Sequence, residues 1–321
     1  MRWVILGAGA IGGVVGARLC QAGFAVTLIA RGAHLEAIRR RGLELVTPEE
    51  RSVLGIPAAG SPGEVEWTGD DVVLVATKSQ DTLGALTSLR DAAGPLTPVV
   101  CVQNGVDNER VALRLFDSVY GAVVMCPAAH LQPGSVEAYG TTLTGMIDVG
   151  RYPDGIDARC EQLCAVLEGS RFSSRPVPDV MRLKYAKLLL NLGNAVQALC
   201  GPGDRSDELT KRAREEGRVA LTASGVEYEA PEVTDLDGRW RRMGVRDIDG
   251  RSRAGSSTWQ SLTRGSSLET DYLNGEIVIA GRVHRVPTPV NASLCRLAWQ
   301  AAHEGWAPGS LDPDDVLGAA V

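Results

Sequence analysis

The chain has 321 residues, 44% of them hydrophobic and 22% charged, with a formal net charge of −6 at neutral pH. That length exceeds one ordinary core and predicts two domains. The acidic balance argues against a general role on nucleic acid or an anionic membrane surface. With no signal peptide, lipidation motif or bilayer-length apolar run read from the sequence, a cytoplasmic globular protein is expected.

Trp3-Val4-Ile5-Leu6 reads as a strand, and Gly7-Ala8-Gly9-Ala10-Ile11-Gly12 follows it directly, ahead of a helix over 13–22 and a second strand over 24–29. This strand, glycine turn, helix order suits a dinucleotide pyrophosphate. The first glycine permits the tight turn, the second lets backbone approach the phosphates, and the third lets helix pack on strand; Ala10 and Ile11 bring their amides to the helix mouth. The alternative is a glycine turn without a ligand. Where an NAD site would place Asp or Glu after the second strand, this chain has Ala30-Arg31-Gly32. A guanidinium grips a 2′-phosphate that an acid would repel, so NADP(H) is the expected cofactor unless Arg31 is simply a solvated loop arginine.

The alternation continues with a strand over 72–76, then Thr77-Lys78-Ser79-Gln80 opening a helix toward Ala93, a strand over 99–102 ending in Gln103-Asn104-Gly105, and a helix near 108–116. Continuous β-branched strands alternating with helices predict a parallel sheet covered on both faces, with ligands outside the carboxyl ends of the strands. Lys78 and Asn104 fall at two such ends. A solvated lysine and a plain turn asparagine are the competing readings. From Val119 to Val149 short strands suggest an antiparallel edge, and Pro176 and Pro178 mark a linker. The expected division is a Rossmann-type domain over 1–175 and an all-helical domain over 176–321, with helices at about 179–199, 206–223, 256–264, 267–281 and 289–303. The seven cysteines are odd in number and scattered, which predicts small buried thiols; no metal site is expected.

In the first of those helices Lys187, Asn191 and Asn194 fall at i, i+4 and i+7, a narrow polar stripe on a leucine-rich rod. It is either the wall of a cleft, with a lysine able to protonate a carbonyl oxygen as hydride reaches its carbon, or an ordinary wet face. Downstream, Ser266 and Glu269 match a capping box, and Ser257 has the chemistry of a helix N-cap.

Taken together, the amino-terminal turn with Ala30-Arg31-Gly32, Lys78 after a strand, Gln103-Asn104-Gly105, Lys187-x-x-x-Asn191, Ser256-Ser257 ahead of Glu269, Asp271 to Glu276 and Pro287 to Asn291 resemble ketopantoate reductase (2-dehydropantoate 2-reductase) over nearly the whole chain. The resemblance implies an NADPH-dependent reductase of a 2-oxo acid in pantothenate biosynthesis, with a small-molecule substrate and a homodimer as the candidate assembly. By matching motif it implies Lys187 as general acid, Glu269 at the catalytic end, Asn191, Asn194 and Ser257 on the substrate, and Lys78 and Asn104 toward the cofactor. Asn194 departs from the family spacing by one residue, and Ser261 stands where the family often has aspartate. Other readings are a reductase of a different 2-oxo acid and a non-catalytic NADP(H)-binding sensor. Six arginines between Arg239 and Arg253 are expected to form a solvated loop with local ion pairs, or to offer one guanidinium to the substrate carboxylate.

Overall fold

The computed structural model describes residues 1–228, 236–253 and 255–319, and the chain divides into two compact units, Met1–Leu183 with Ala230–Arg253, and Lys184–Glu229 with Ala254–Val321. The sequence-based boundary at residue 175 differs from this in two respects: the division falls inside a helix, and residues 230–253 return to the first unit.

The strands of the first unit are β1 (Arg2–Leu6), β2 (Val26–Ile29), β3 (Leu43–Val46), β4 (Arg51–Leu54), β5 (Ala58–Ala59), β6 (Asp71–Val75), β7 (Val99–Cys101), β8 (Val119–Met125), β9 (Ala128–Ala129), β10 (Ser135–Ala138), β11 (Gly145–Arg151) and β12 (Phe172–Ser173). Eight of them form a sheet in the order β12-β11-β8-β7-β6-β1-β2-β5. All of its pairs are parallel except β8 with β11; β8 pairs parallel with β7 on one side and antiparallel with β11 on the other, so the antiparallel edge expected from Val119 is formed by β8 and β11, and β9 with β10 is a second antiparallel pair in the other sheet. The residues of β1, β6 and β7 are almost wholly buried on both faces, as the continuous Val/Ile/Leu runs require. Helices α1 (Ala10–Gln21), α2 (Gly32–Arg41), α3 (Thr82–Ala93), α4 (Asn108–Leu113) and α5 (Ala158–Gly169) cover the sheet. A four-stranded sheet, β4-β3-β10-β9, packs on α1.

The second unit holds only helices among its described residues: most of α6 (Val180–Asn191), then α7 (Gly193–Cys200), α8 (Asp204–Ala223), and, after α9 (Leu236–Met243) in the first unit, α10 (Ser257–Thr263), α11 (Asn274–His284), α12 (Pro289–Glu304) and α13 (Pro313–Gly318). Leu188, Leu192, Val196, Leu209, Ala213, Leu221, Ile277 and Leu294 build its core. No described helix is long and apolar enough to cross a membrane. All seven cysteines are free.

The arginine-rich segment is not a solvated loop. Arg239 is 1% exposed and pairs in bidentate fashion with Asp148 of β11, at 2.6 and 2.8 Å, while its Nε donates to the Ser173 hydroxyl at 3.0 Å. Removing one member of such a buried pair strands the other charge and typically costs about 3–5 kcal/mol. Arg246 pairs with Glu49, Arg251 with Glu137 and Asp249, and Ile248 joins a small apolar cluster with Val46, Ala129 and Tyr139. These contacts anchor residues 236–253 on the first unit.

Candidate active site

The dinucleotide turn follows from three backbone constraints. Gly7 has φ +103°, and a Cβ there would stand 2.9 Å from the backbone of Ala76 and Thr77 at the end of β6. A Cβ on Gly12 would fall 2.1 Å from the Gly7 carbonyl oxygen and 2.9 Å from the Ile5 side chain, so only glycine lets α1 lie this close to β1. Gly9, the N-cap of α1, faces open space, with nothing within 4 Å of a Cβ placed on it. No side chain caps α1, which leaves the amides of its first turn, Ala10 and Ile11 included, available to an anion. The residues present therefore fit a pyrophosphate.

Arg31 ends the β2 crossover as the N-cap of α2, with extended backbone and an exposed side chain. Its side chain makes no hydrogen bond or ion pair with any described residue, in contrast to Arg39 in the last turn of the same helix, which is spent on Glu64. A cation without a partner beside a helix N-terminus suits a phosphate monoester.

Lys78 and Asn104 are both half-buried just past the ends of β6 and β7. Lys78 caps a single 3-10 turn over Ser79–Asp81, and α3 proper starts only at Thr82. A buried polar network ties their loops together. Gln103 Nε2 donates to the Thr77 carbonyl at 2.8 Å and to the Thr82 hydroxyl at 2.7 Å; that hydroxyl donates to Asn108 Oδ1 at 2.8 Å; and Asn108 Nδ2 reaches the Asn104 carbonyl at 2.9 Å and Ser79 Oγ at 3.2 Å. Gln103, Thr82 and Asn108 are at most 5% exposed, so they serve to fix the two loops. Sequence reading missed Thr82 and Asn108, whose polarity inside helices was the available signal.

In the helical unit the expected single helix over 179–199 is broken at Leu192. Arg214 of α8 donates to the carbonyls of Leu189 and Leu190 at 3.2 and 3.1 Å, and Asn274 Nδ2 donates to that of Leu192 at 3.1 Å. Side chains thus take the carbonyls that would accept from the next turn, a recognised cause of a kink. Asn274 and Asn291, both 0% exposed, bond to each other at 2.9 Å, and Glu216 accepts the N–H groups of Val290 and Asn291 at the start of α12. The motif residues Asn274 and Asn291 are therefore architectural.

Lys187 and Asn191 stay on one face of α6, while Asn194 lies beyond the break in α7. Leu192 keeps right-handed helical angles (φ −59°, ψ −27°), so the chain's rotation carries through the interruption. Ser256, not Ser257, is the N-cap of α10: its hydroxyl accepts from the Trp259 N–H at 3.3 Å and approaches the Asn194 carbonyl at 3.3 Å, and its own N–H donates to Gln197 Oε1 at 2.6 Å. Capping does not consume the Ser257 hydroxyl, and α10 brings Ser257 next to the Asn194 turn. The capping box expected at Ser266 is absent, because Ser266–Glu269 is not helical and Glu269 instead precedes a 3-10 turn over Thr270–Tyr272 with no side-chain cap bond. Lys187, Asn191, Asn194, Ser257 and Glu269 are all half-buried, which is not the exposure of a fully wet face.

The model of the family described as ketopantoate reductase PanE/ApbA matches residues 3–154, and that of its C-terminal part matches residues 179–301. The chain belongs to this family. A 2-dehydropantoate 2-reductase from Halobacterium salinarum is 30% identical over 95% of this chain and 100% of its own length. The crystal structure of a PanE/ApbA family ketopantoate reductase from Ralstonia eutropha JMP134 superposes with a TM-score of 0.80 at 29% identity, over 95% of this chain and 99% of that one. A D-mandelate dehydrogenase solved with NADH and anilino(oxo)acetate shares the fold, with a TM-score of 0.79 at 22% identity over 99% and 100% of the two chains. This ketopantoate reductase family member is an NADP-dependent oxidoreductase, and its open glycine turn and partnerless Arg31 agree with that cofactor.

Proposed function

We propose that this chain reduces 2-dehydropantoate to pantoate. NADPH, when bound, supplies hydride to the ketone carbon. Lys187 donates the proton to the ketone oxygen, and Asn191, one turn away on α6, holds that oxygen or its neighbour in reach. Asn194 and Ser257 bind the rest of the substrate, and Glu269 orients a substrate hydroxyl or the lysine itself. Gly7, Gly9, Ala10, Ile11, Gly12, Arg31, Lys78 and Asn104 bind the cofactor. The observation that carries the reading is the pair Lys187 and Asn191, half-buried on one helix face whose far end is held by Arg214 and Asn274.

We further infer a cytoplasmic location and a homodimer; sedimentation velocity reads the assembly directly, and a mass of one chain would overturn it.

The test is loss of NADPH absorbance on adding 2-dehydropantoate, side by side with pyruvate, 2-oxoisovalerate and benzoylformate. Turnover at least tenfold higher in kcat/KM for 2-dehydropantoate supports the reading. Preference for benzoylformate would favour a reductase of another 2-oxo acid, and binding of NADPH without turnover of any acid would favour the sensor.

A further inference from the structure

His34 lies in the first turn of α2, three residues after Arg31, and neither the glycine pattern nor the helical stripe explains it. The Gly134 N–H donates to its Nδ1 at 2.8 Å, so Nδ1 carries no proton. The ring proton is therefore on Nε2, which lies 2.7 Å from the Ala8 carbonyl oxygen and donates to it. Burial, and then the facing His130, lower the pKa of His34 and keep the ring neutral. The His130 ring stands 4.1 Å away at 51°, its Nδ1 meeting the Ser135 carbonyl at 3.0 Å, and Arg41 at the end of α2 donates to the Pro133 carbonyl at 2.5 Å. The ring cannot turn without losing both of its own bonds.

Ala8 is the residue between the first two glycines of the dinucleotide turn. Its N–H is bonded to the Ile29 carbonyl at 3.1 Å, and its peptide to Gly9 is trans, since Tyr152–Pro153 is the cis bond among the described residues. A trans peptide is planar, so a ring that holds the Ala8 oxygen also fixes the direction of the Gly9 N–H and the starting course of the Ala10 and Ile11 amides. Gly9 has no Cβ contact within 4 Å to do this instead, and no side chain caps α1.

We propose that His34 is a positioning residue for NADPH, setting the amide donors of the turn so that they meet the pyrophosphate without reorganisation. One helix then serves both ends of the cofactor, Arg31 at the 2′-phosphate and His34 behind the pyrophosphate. The proposal rests on NADPH occupying this turn, which titration of the wild-type protein checks separately.

Two substitutions separate the two bonds. In His34→Gln the amide nitrogen can reach the position of Nε2 and keep the donor to Ala8; in His34→Asn the shorter side chain can accept from Gly134 but leaves Ala8 without its donor. NADPH dissociation constants by fluorescence and steady-state kinetics are measured on both, with melting temperatures. The expected result is that His34→Asn raises the NADPH dissociation constant and KM on the order of tenfold with kcat at saturating NADPH within about twofold, while His34→Gln stays within about threefold of wild type. Equal weakening in both variants, in step with equal losses of melting temperature, would reduce His34 to packing, and unchanged affinity in both would also overturn the proposal. Should either variant fail to fold, nitrogen-15 spectra of the wild-type imidazole decide: an Nε2–H tautomer that persists on NADPH addition is required, and an Nδ1–H tautomer would overturn it. Wild type that does not bind NADPH would instead refute the cofactor reading.

Discussion

The glycine turn at the head of α1 and the interrupted helix α6–α7 place their functional groups by opposite means. In the turn the functional groups are backbone amides, and the sequence supplies mostly absence: no Cβ at Gly7, Gly9 or Gly12. In the interrupted helix the functional groups are side chains, and their placement depends on donors from elsewhere in the second unit, Arg214 and Asn274, that take carbonyls out of the helical ladder. A site built from backbone is fixed by local sterics, whereas one built from a side-chain stripe inherits its register from tertiary bonds. The two should therefore fail differently when altered.

The largest effect is expected in the chemical step. Lys187→Ala should lower kcat by about 10²–10⁴ with NADPH affinity nearly unchanged, and the pH–rate profile should lose one of its limbs. A near wild-type single-turnover rate in stopped flow would return Lys187 to an ordinary helix face. Next, Arg31→Ala should weaken NADPH by about 1.5–3 kcal/mol while leaving NADH binding almost untouched. Equal losses for both nucleotides in a fluorescence titration would show that Arg31 does not read the 2′-phosphate.

Glu269→Gln should lower kcat/KM by about tenfold at constant melting temperature, because no cap bond is present for the substitution to spare or break. Silent kinetics would remove Glu269 from the site.

The smallest effect is on the pH dependence of stability. The folded-state pKa of His34 is lowered below its ordinary 6.5, by burial first and by His130 second. Below about pH 6.5 the unfolded chain takes up a proton that the folded ring resists, so His34 makes stability fall on acidification through that range. The loss of melting temperature between pH 7 and pH 5 should be smaller in His34→Gln than in wild type; a larger loss would contradict the neutral ring.

Much of the cofactor end was legible because its requirements are local. Glycine is the residue a +103° φ favours at position 7 and the only one whose lack of a Cβ fits at position 12, and short β-branched runs bounded by turn residues read as strands buried on both faces. The short strands β3 and β4 were not read. Arg51–Leu54 alternates exposed and half-buried residues and carries little apolar signal. The break at Leu192 has no local signature, since Leu192 itself keeps helical angles and the side chains that interrupt the ladder are distant in sequence, Arg214 25 residues from Leu189 and Asn274 82 residues from Leu192. The same holds for residues 236–253, whose anchor joins Arg239 to Asp148 across 91 residues. Ser266 and Glu269 matched a capping pattern correctly and were still overruled, because the chain between them is held non-helical, with the Ser266 N–H on the Ser261 carbonyl at 2.9 Å.

The central claim is that the turn binds and the helix acts. Its most direct test measures NADPH affinity and single-turnover rate at saturating NADPH on the same two proteins, Arg31→Ala and Lys187→Ala. The account predicts that Arg31→Ala loses affinity and keeps its rate, while Lys187→Ala keeps affinity and loses its rate by at least a hundredfold, the lower end of the range for a general acid. Comparable loss of both quantities in both proteins would contradict it.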